Sequence, residues 1–192
     1  MSVKIIADSG CDLPKELLNE YNITEAPLLV YPKGQEDQAE KVDDPKVIYD
    51  GMRDGKVFKT AQVPPNFFED IFTKVAENNR PAIYISFSSK LSGTYQSSVV
   101  VKNNIEQEYK DLDLTIIDSK CASLGYGMIV YQAAKMAKEG KSKEQIIEMI
   151  HHHKKHMEHI FTVDNLEYLR RGGRISRTAA FVGGLLNIKP IL

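Results

Sequence analysis

Four short segments of the chain gather hydroxyls, small residues and hydrogen-bond donors: Asp8-Ser9-Gly10-Cys11-Asp12, Lys59-Thr60-Ala61-Gln62, Ser88-Ser89-Lys90-Leu91-Ser92-Gly93-Thr94, and Asp118-Ser119-Lys120-Cys121-Ala122-Ser123. Each follows a short apolar run and leads toward a helical pattern. Hydroxyls at such a junction donate hydrogen bonds, and the first N–H groups of a helix favour negative charge, so the grouping suits a carboxylate or another electron-rich oxygen. Ser92-Gly93-Thr94 is the strongest of the four, because glycine lets a ligand approach the backbone between two flanking donors. The competing reading is that Ser, Thr and Gly stand there only to cap helices and form turns.

Other chemistry finds less support. There is no G-x-x-x-x-G-K-[ST] phosphate loop, no G-x-G-x-x-G and no G-x-S-x-G nucleophile elbow. Gly125-Tyr126-Gly127 lies inside an apolar helical stretch and reads as close helix packing. All five histidines fall between His151 and His159, far in sequence from the hydroxyl loops, which leaves Ser92 and Cys11 without a neighbouring base for nucleophilic catalysis. His152 with His156, and His156 with His159, have the helical spacing of a metal-binding pair, but Lys154 and Lys155 stand among them and favour a solvated helix face. Arg170-Arg171-Gly172-Gly173-Arg174-Ile175-Ser176-Arg177 places four guanidiniums around a glycine pair, an arrangement suited to binding carboxylate or phosphate.

The elements that must carry these loops follow from periodicity. Apolar runs at 3–7, 28–31, 57–58, 82–87, 114–117 and 160–163 predict strands. Helical patterns at 14–21, 45–53, 65–78, 94–109, 127–139 and 142 to about 159 lie between or after them. The alternation predicts an α/β fold with a mainly parallel sheet and helices on both faces, in which ligands gather where strands exit into helices. Asp44 before Pro45, and the S-x-x-Q box of Ser142 and Gln145, mark two helix starts. Composition turns basic after about 140–150, which predicts one α/β domain over residues 1–148 and the start of a second lobe over 149–192.

Length and charge narrow the function classes. The 192 residues are 42% apolar and 27% charged, with 25 basic and 26 acidic side chains and a formal net charge of -1. That balance gives no general affinity for polyanions and makes nucleic acid a poor partner. The longest uncharged stretch, 121–134, has 14 residues, short of the ~20 needed for a membrane span. No hydrophobic leader precedes Asp8, and Cys11 and Cys121 cannot form a disulfide framework, so the expected compartment is the cytoplasm.

Taken in order, Asp8-Ser9-Gly10-Cys11-Asp12-Leu13-Pro14, Thr60-Ala61-Gln62-Val63-Pro64, Ser88-Ser89-Lys90-Leu91-Ser92-Gly93-Thr94-Tyr95-Gln96-Ser97, Asp118-Ser119 and Leu169-Arg170-Arg171-Gly172-Gly173-Arg174-Ile175 resemble the DegV family of bacterial fatty-acid-binding proteins. The resemblance implies a two-lobed carrier, without cofactor or catalysis of its own, that buries one long-chain fatty acid and presents its carboxylate to a fatty acid kinase catalytic subunit for phospholipid synthesis. It puts the carboxylate on Thr60 and Ser92, with Gly93, Thr94 and Ser119 around it. Arg170 and Arg171 are placed at the head group or the kinase-facing surface.

Two residues depart from the family pattern: Ala61 stands where Ser is common, and Val63 separates Gln62 from the prolines. Family members usually continue past the Ile188-Lys189-Pro190-Ile191-Leu192 segment, adding the rest of the second lobe and a histidine that touches the carboxyl group. The apolar run from Phe181 onward therefore predicts an incomplete second lobe or a partner-covered end. Phe67, Phe68, Ile71, Phe87, Met128 and Phe181 are candidates to line the acyl tail, with ordinary core packing as the rival reading. The alternative function is a small acyl or phosphoryl transferase using Ser92 or Cys11. A bare interaction domain, using 170–177 against an acidic protein, is a third.

Overall fold

The computed structural model describes residues 2–42, 44–163 and 166–175. Four parallel strands form the main sheet in the order β2-β1-β5-β6: β1 (Lys4–Asp8), β2 (Thr24–Ala26), β5 (Ala82–Ser86) and β6 (Leu114–Asp118). Ile6 pairs with Tyr84, and Tyr84 with Ile116, so β1, β5 and β6 run in register to a common exit edge. The remaining two, β3 (Leu29–Pro32) and β4 (Phe58–Ala61), pair antiparallel in a separate ribbon that the apolar runs at 28–31 and 57–58 did not distinguish from the main sheet. β2 went unread because three residues with Glu25 at their centre carry no apolar run.

Alternation along the strands divides the core. Val3, Ile5, Ala7, Ile83, Ile85 and Ile117 face one side. There they meet α1 (Lys15–Glu20), α5 (Ser123–Lys138) and α6 (Lys143–His156) through Leu18, Tyr126, Ile129, Ile146 and Ile150. Ile6, Ala82, Tyr84 and Leu114 face the other side and pack on α3 (Pro65–Glu77) and α4 (Thr94–Glu108). Phe68 lies with its ring centroid 5.3 Å from Phe72 and 5.2 Å from Tyr84, which contributes ~0.5 to 1.5 kcal/mol per pair beyond area burial. A strand buried on both faces in this way reads as a continuous apolar run.

The expected helix starts are present. Asp44 Oδ1 accepts from the Lys46 N–H at 2.9 Å to open α2 (Pro45–Arg53), and Ser142 and Gln145 form a reciprocal capping box on α6. The chain separates into two compact units, Met1–Met157 and Glu158–Leu192. That boundary falls later than 148 because α6 continues to His156 and buries Ile146 and Ile150 in the first unit's core. Within the second unit α7 spans Glu167–Arg171, and residues 160–163 form no strand among the described residues. Phe181 and Arg177 lie outside the described residues. Among the described residues, no helix is long and apolar enough to cross a membrane.

Candidate functional site

The strand exits of the first unit meet on one edge of the sheet, and a buried carboxylate ties them together. Asp8, the last residue of β1, is fully buried. Its Oδ2 accepts from the Tyr84 hydroxyl at 2.9 Å and from the Phe87 N–H at 2.8 Å, while Oδ1 accepts from the Gly10 N–H at 3.2 Å. The Tyr126 hydroxyl accepts from the Asp8 N–H at 3.0 Å and donates to the Ile85 carbonyl at 2.5 Å, which brings α5 into the same network. Burial pushes the Asp8 carboxyl up to about 6, against the opposing pull of those hydrogen bonds. Sequence reasoning placed Asp8 in a ligand loop but missed this role; a carboxylate directly ending an apolar run was the available signal.

The exit of β6 is built in the same inward-facing way. Asp118 Oδ1 accepts from the N–H groups of Ser89 and Lys120, both at 3.1 Å, and Oδ2 pairs with Lys120 Nζ at 2.5 Å. Burial would raise the Asp118 carboxyl, but the bonds from Lys120 and Ser89 outweigh it and hold the group below its ordinary value. Ser119 is fully buried, and its hydroxyl both donates to the Cys121 carbonyl at 3.3 Å and accepts from the Cys121 N–H at 3.1 Å. With both capacities used inside its own turn, Ser119 shapes the loop instead of facing outward. Lys120 and Ser123 carry positive φ angles of 60° and 49°, strained for side-chain-bearing residues and held by this surrounding mesh.

A different arrangement appears where β4 and β5 lead into α3 and α4. The Ser92 hydroxyl is half-buried, lies 2.8 Å from Thr94 Oγ1 and accepts from the Thr94 N–H at 3.3 Å at the start of α4. Thr94 is fully buried, and its Oγ1 accepts from the Val63 N–H at 3.4 Å, so the segment after β4 is drawn onto the start of α4. Gln62 occupies the space beside Gly93: a Cβ there would stand 2.4 Å from Gln62 Oε1. Thr60, opposite Val30 in the ribbon, is exposed. The structure thus joins Ser92, Gly93 and Thr94 with Gln62 and Val63, and Thr60 stands two residues away at the end of β4. Thr94 orients Ser92 through their shared hydrogen bond.

Around these exits the apolar candidates separate. Phe68 is core, and Phe87 packs against the aromatic and aliphatic residues under α5. Phe67 is 37% exposed, Ile71 is partly buried on α3, and Met128 is 63% exposed. Leu124, one helical turn before Met128, is also 63% exposed. Leu124 and Leu91 escaped the sequence reading, although the i, i+4 spacing of Leu124 and Met128 against buried Tyr126, Ile129 and Val130 was its available signal.

Cys11 is fully buried, and burial first of all pushes its thiol up to about 12, so it is a neutral thiol at ordinary pH and a poor nucleophile. In the histidine segment, His156 Nδ1 donates to the His152 carbonyl at 2.7 Å and the two rings lie 4.4 Å apart. Among the described residues, no group of three or more His, Cys, Asp or Glu side chains is placed to hold a metal ion. Within the second unit, Arg170 makes two bonds of 2.5 Å to the Glu167 carboxylate, and Arg171 Nε donates to the same group at 2.8 Å. These bonds from Arg170 and Arg171 hold the Glu167 carboxyl down at about 2.

A parallel sheet with this edge of hydroxyl-bearing exits, beside an antiparallel ribbon, defines an α/β class with a candidate anion site at its strand exits. The model of the family described as "Uncharacterised protein, DegV family" matches residues 2–192, and the chain belongs to that family. A DegV domain-containing protein of Clostridium perfringens is 40% identical over 194 residues, covering 98% of this chain and 65% of the relative. Among solved structures, a DegV family protein from Thermus thermophilus described for its fatty acid binding is 31% identical, with a TM-score of 0.83 over 100% of this chain and 67% of its own. A stearic-acid-binding protein from Eubacterium ventriosum is 29% identical, with a TM-score of 0.86 over 98% of this chain and 66% of its own. The chain therefore spans about two thirds of the length of these relatives.

Proposed function

We propose that this chain binds a long-chain fatty acid with its carboxylate at Ser92 and Thr60 and presents that group to a fatty acid kinase catalytic subunit. The supporting observation is the half-buried Ser92 hydroxyl, oriented by Thr94 at the start of α4 beside the segment leading from Thr60. The lack of a side chain at Gly93 makes room for Gln62 Oε1, and a ligand that displaced this side-chain end would reach the Gly93 backbone. Ser119 supports the rim by fixing the turn after β6. In this reading Arg170 and Arg171, which bond Glu167, serve the kinase-facing surface, where a guanidinium that exchanges Glu167 for a phosphate would assist the partner's transfer step.

The energetics favour a carrier of this kind. Each buried methylene contributes about 0.8 kcal/mol, so a long acyl tail supplies on the order of 10 kcal/mol before ordering costs, and a few neutral donors suffice to orient the head. Leu91, Leu124 and Met128 offer exposed apolar surface close to the exits for part of that tail. The fatty-acid-binding descriptions of the Thermus and Eubacterium proteins support the same ligand class. A transferase reading finds less footing, because the hydrogen-bond partners of Ser92 Oγ are Thr94 groups, not a base, and the Cys11 thiol is buried and protonated. The proposed compartment is the cytoplasm.

Native mass spectrometry of the purified chain with added palmitate or oleate tests the binding. A one-to-one complex is expected, weakened by the Thr60→Ala/Ser92→Ala double variant. An affinity unchanged by that double substitution would remove both residues from the site.

A further inference from the structure

At the opposite edge of the sheet from the hydroxyl-bearing exits, a cavity of about 680 Å³ opens between α3 and the starts of β1 and β2. Its lining includes Lys4, Lys74 and Arg80, the hydroxyl-bearing Ser2 and Thr24, and the apolar side chains of Ile6, Ile71 and Val75. Among the described residues, no carboxylate lines it. We propose that this cavity binds a small molecule carrying a phosphate monoester, with the three cations and nearby hydroxyls on the phosphate and Ile71 and Val75 against an apolar body.

The charge arrangement carries the argument. Lys4 reaches only neutral oxygens, the Asn22 carbonyl at 2.6 Å and Asn22 Oδ1 at 3.0 Å. Arg80 donates through Nε and Nη2 to Ser2 oxygens, both at 2.9 Å, which leaves the rest of its five donors available. Among the described residues, neither these two nor Lys74 forms an ion pair, whereas Lys41, Lys46, Lys102, Lys120, Lys138 and Lys143 each pair with a carboxylate. Burial, reinforced by the neighbouring Arg80 charge, lowers the Lys4 ammonium to about 8, so the site already carries the cost of gathered positive charge.

The end of a helix favours basic residues, and that alone would account for Lys74 and Arg80 near the end of α3. It does not account for Lys4, which opens a strand and is half-buried beside them. The last carbonyls of α3 are also satisfied locally: the Lys74 carbonyl accepts from Asn78 Nδ2 at 2.6 Å, and the Ala76 carbonyl from the Asn79 N–H at 3.0 Å. An anion in the cavity therefore meets ammonium and guanidinium donors instead of bare carbonyls. Three positive charges match a dianion better than a single carboxylate, and a phosphate monoester is close to dianionic at neutral pH. The volume falls within the ~300 to 1,000 Å³ usual for small-molecule sites.

Phenyl phosphate, inorganic phosphate, succinate and benzyl alcohol, titrated calorimetrically into the whole chain, test the proposal. Phenyl phosphate is expected to bind most tightly, inorganic phosphate more weakly, and succinate and benzyl alcohol at least tenfold more weakly than phenyl phosphate. The exposed Lys74→Glu substitution should weaken phenyl phosphate at least tenfold while leaving fatty acid retention unchanged, and Arg80→Lys should weaken it less. No phenyl phosphate binding in the wild-type chain, equal binding of succinate, or an affinity indifferent to Lys74→Glu would overturn the proposal. Because Ser92 and Thr60 play no part in this cavity, loss of fatty acid binding in their variants with phenyl phosphate binding intact separates the two sites.

Discussion

The exits of β1 and β6 and the exits of β4 and β5 contain the same kinds of residue, yet they do opposite things with them. At the first pair, Asp8, Ser119 and Asp118 direct their oxygens into the protein, against Tyr84, Phe87, Cys121, Ser89 and Lys120. At the second pair, Ser92 is half-buried and Thr60 is exposed, beside the enclosed Ser86, Ser88 and Thr94. A polar group enclosed by protein must find partners there, because leaving it unpaired costs ~1 to 3 kcal/mol. A polar group at the rim retains capacity for a ligand. The difference teaches that a hydroxyl-rich loop becomes scaffold or site according to its depth, not its composition.

The contrast can be broken most severely at Gly127. A Cβ there would lie 2.2 Å from the Cys11 carbonyl oxygen, backbone against backbone, where α5 crosses the turn Ser9–Cys11. Gly127→Ala should cost about 3 kcal/mol or more of unfolding free energy, measured in urea, because neither side can retreat without moving a helix. A loss below about 1 kcal/mol would show that the β1 exit is not a rigid scaffold.

Asp8 offers the next largest effect, through pH. Its folded-state value of about 6 lies above the ordinary 3.8, so the folded protein holds the proton more tightly than the unfolded chain. That stabilisation is complete below the ordinary value and is lost as pH rises through about 6. The stability of the wild type relative to Asp8→Asn should therefore fall by up to about 3 kcal/mol between roughly pH 4 and pH 7. A difference that stays flat with pH would remove Asp8 as the buried knot of the exits.

Smaller effects sharpen the comparison from the open side. Ser92→Ala and Thr60→Ala should each weaken fatty acid binding about tenfold, and Thr60→Ala should leave unfolding within about 0.5 kcal/mol of wild type. Ser119→Ala should do the reverse, costing about 1 kcal/mol of stability with ligand affinity unchanged. If Ser119→Ala instead weakened the ligand as much as Ser92→Ala, the division between scaffold and rim would fail.

Much of this was legible in one dimension. The run at 82–87, whose strand Ala82–Ser86 is buried on both faces, announced a parallel sheet, because a strand covered by helices on each side has no polar face. Asp44 and the Ser142–Gln145 box announced helix starts, since capping depends on a few adjacent residues. The ribbon of β3 and β4 was not separable from the main sheet, because pairing direction depends on partners distant in sequence. Thr24–Ala26 was missed for the same reason: its place beside β1 is set by the neighbouring strand. Lys4, Lys74 and Arg80 share no motif, and their common cavity exists only once α3 lies across the strand starts.

By itself, the sequence determined the local choices: alternating apolar runs, caps, and hydroxyl-rich turns whose order marks the DegV family. The tertiary structure alone decided which of those hydroxyls face inward, which carboxylate carries the burial of the exits, and which cations meet. The physical reason is that propensity and capping act over a few neighbouring residues, whereas desolvation and charge proximity depend on everything packed around a group, wherever it lies in the chain.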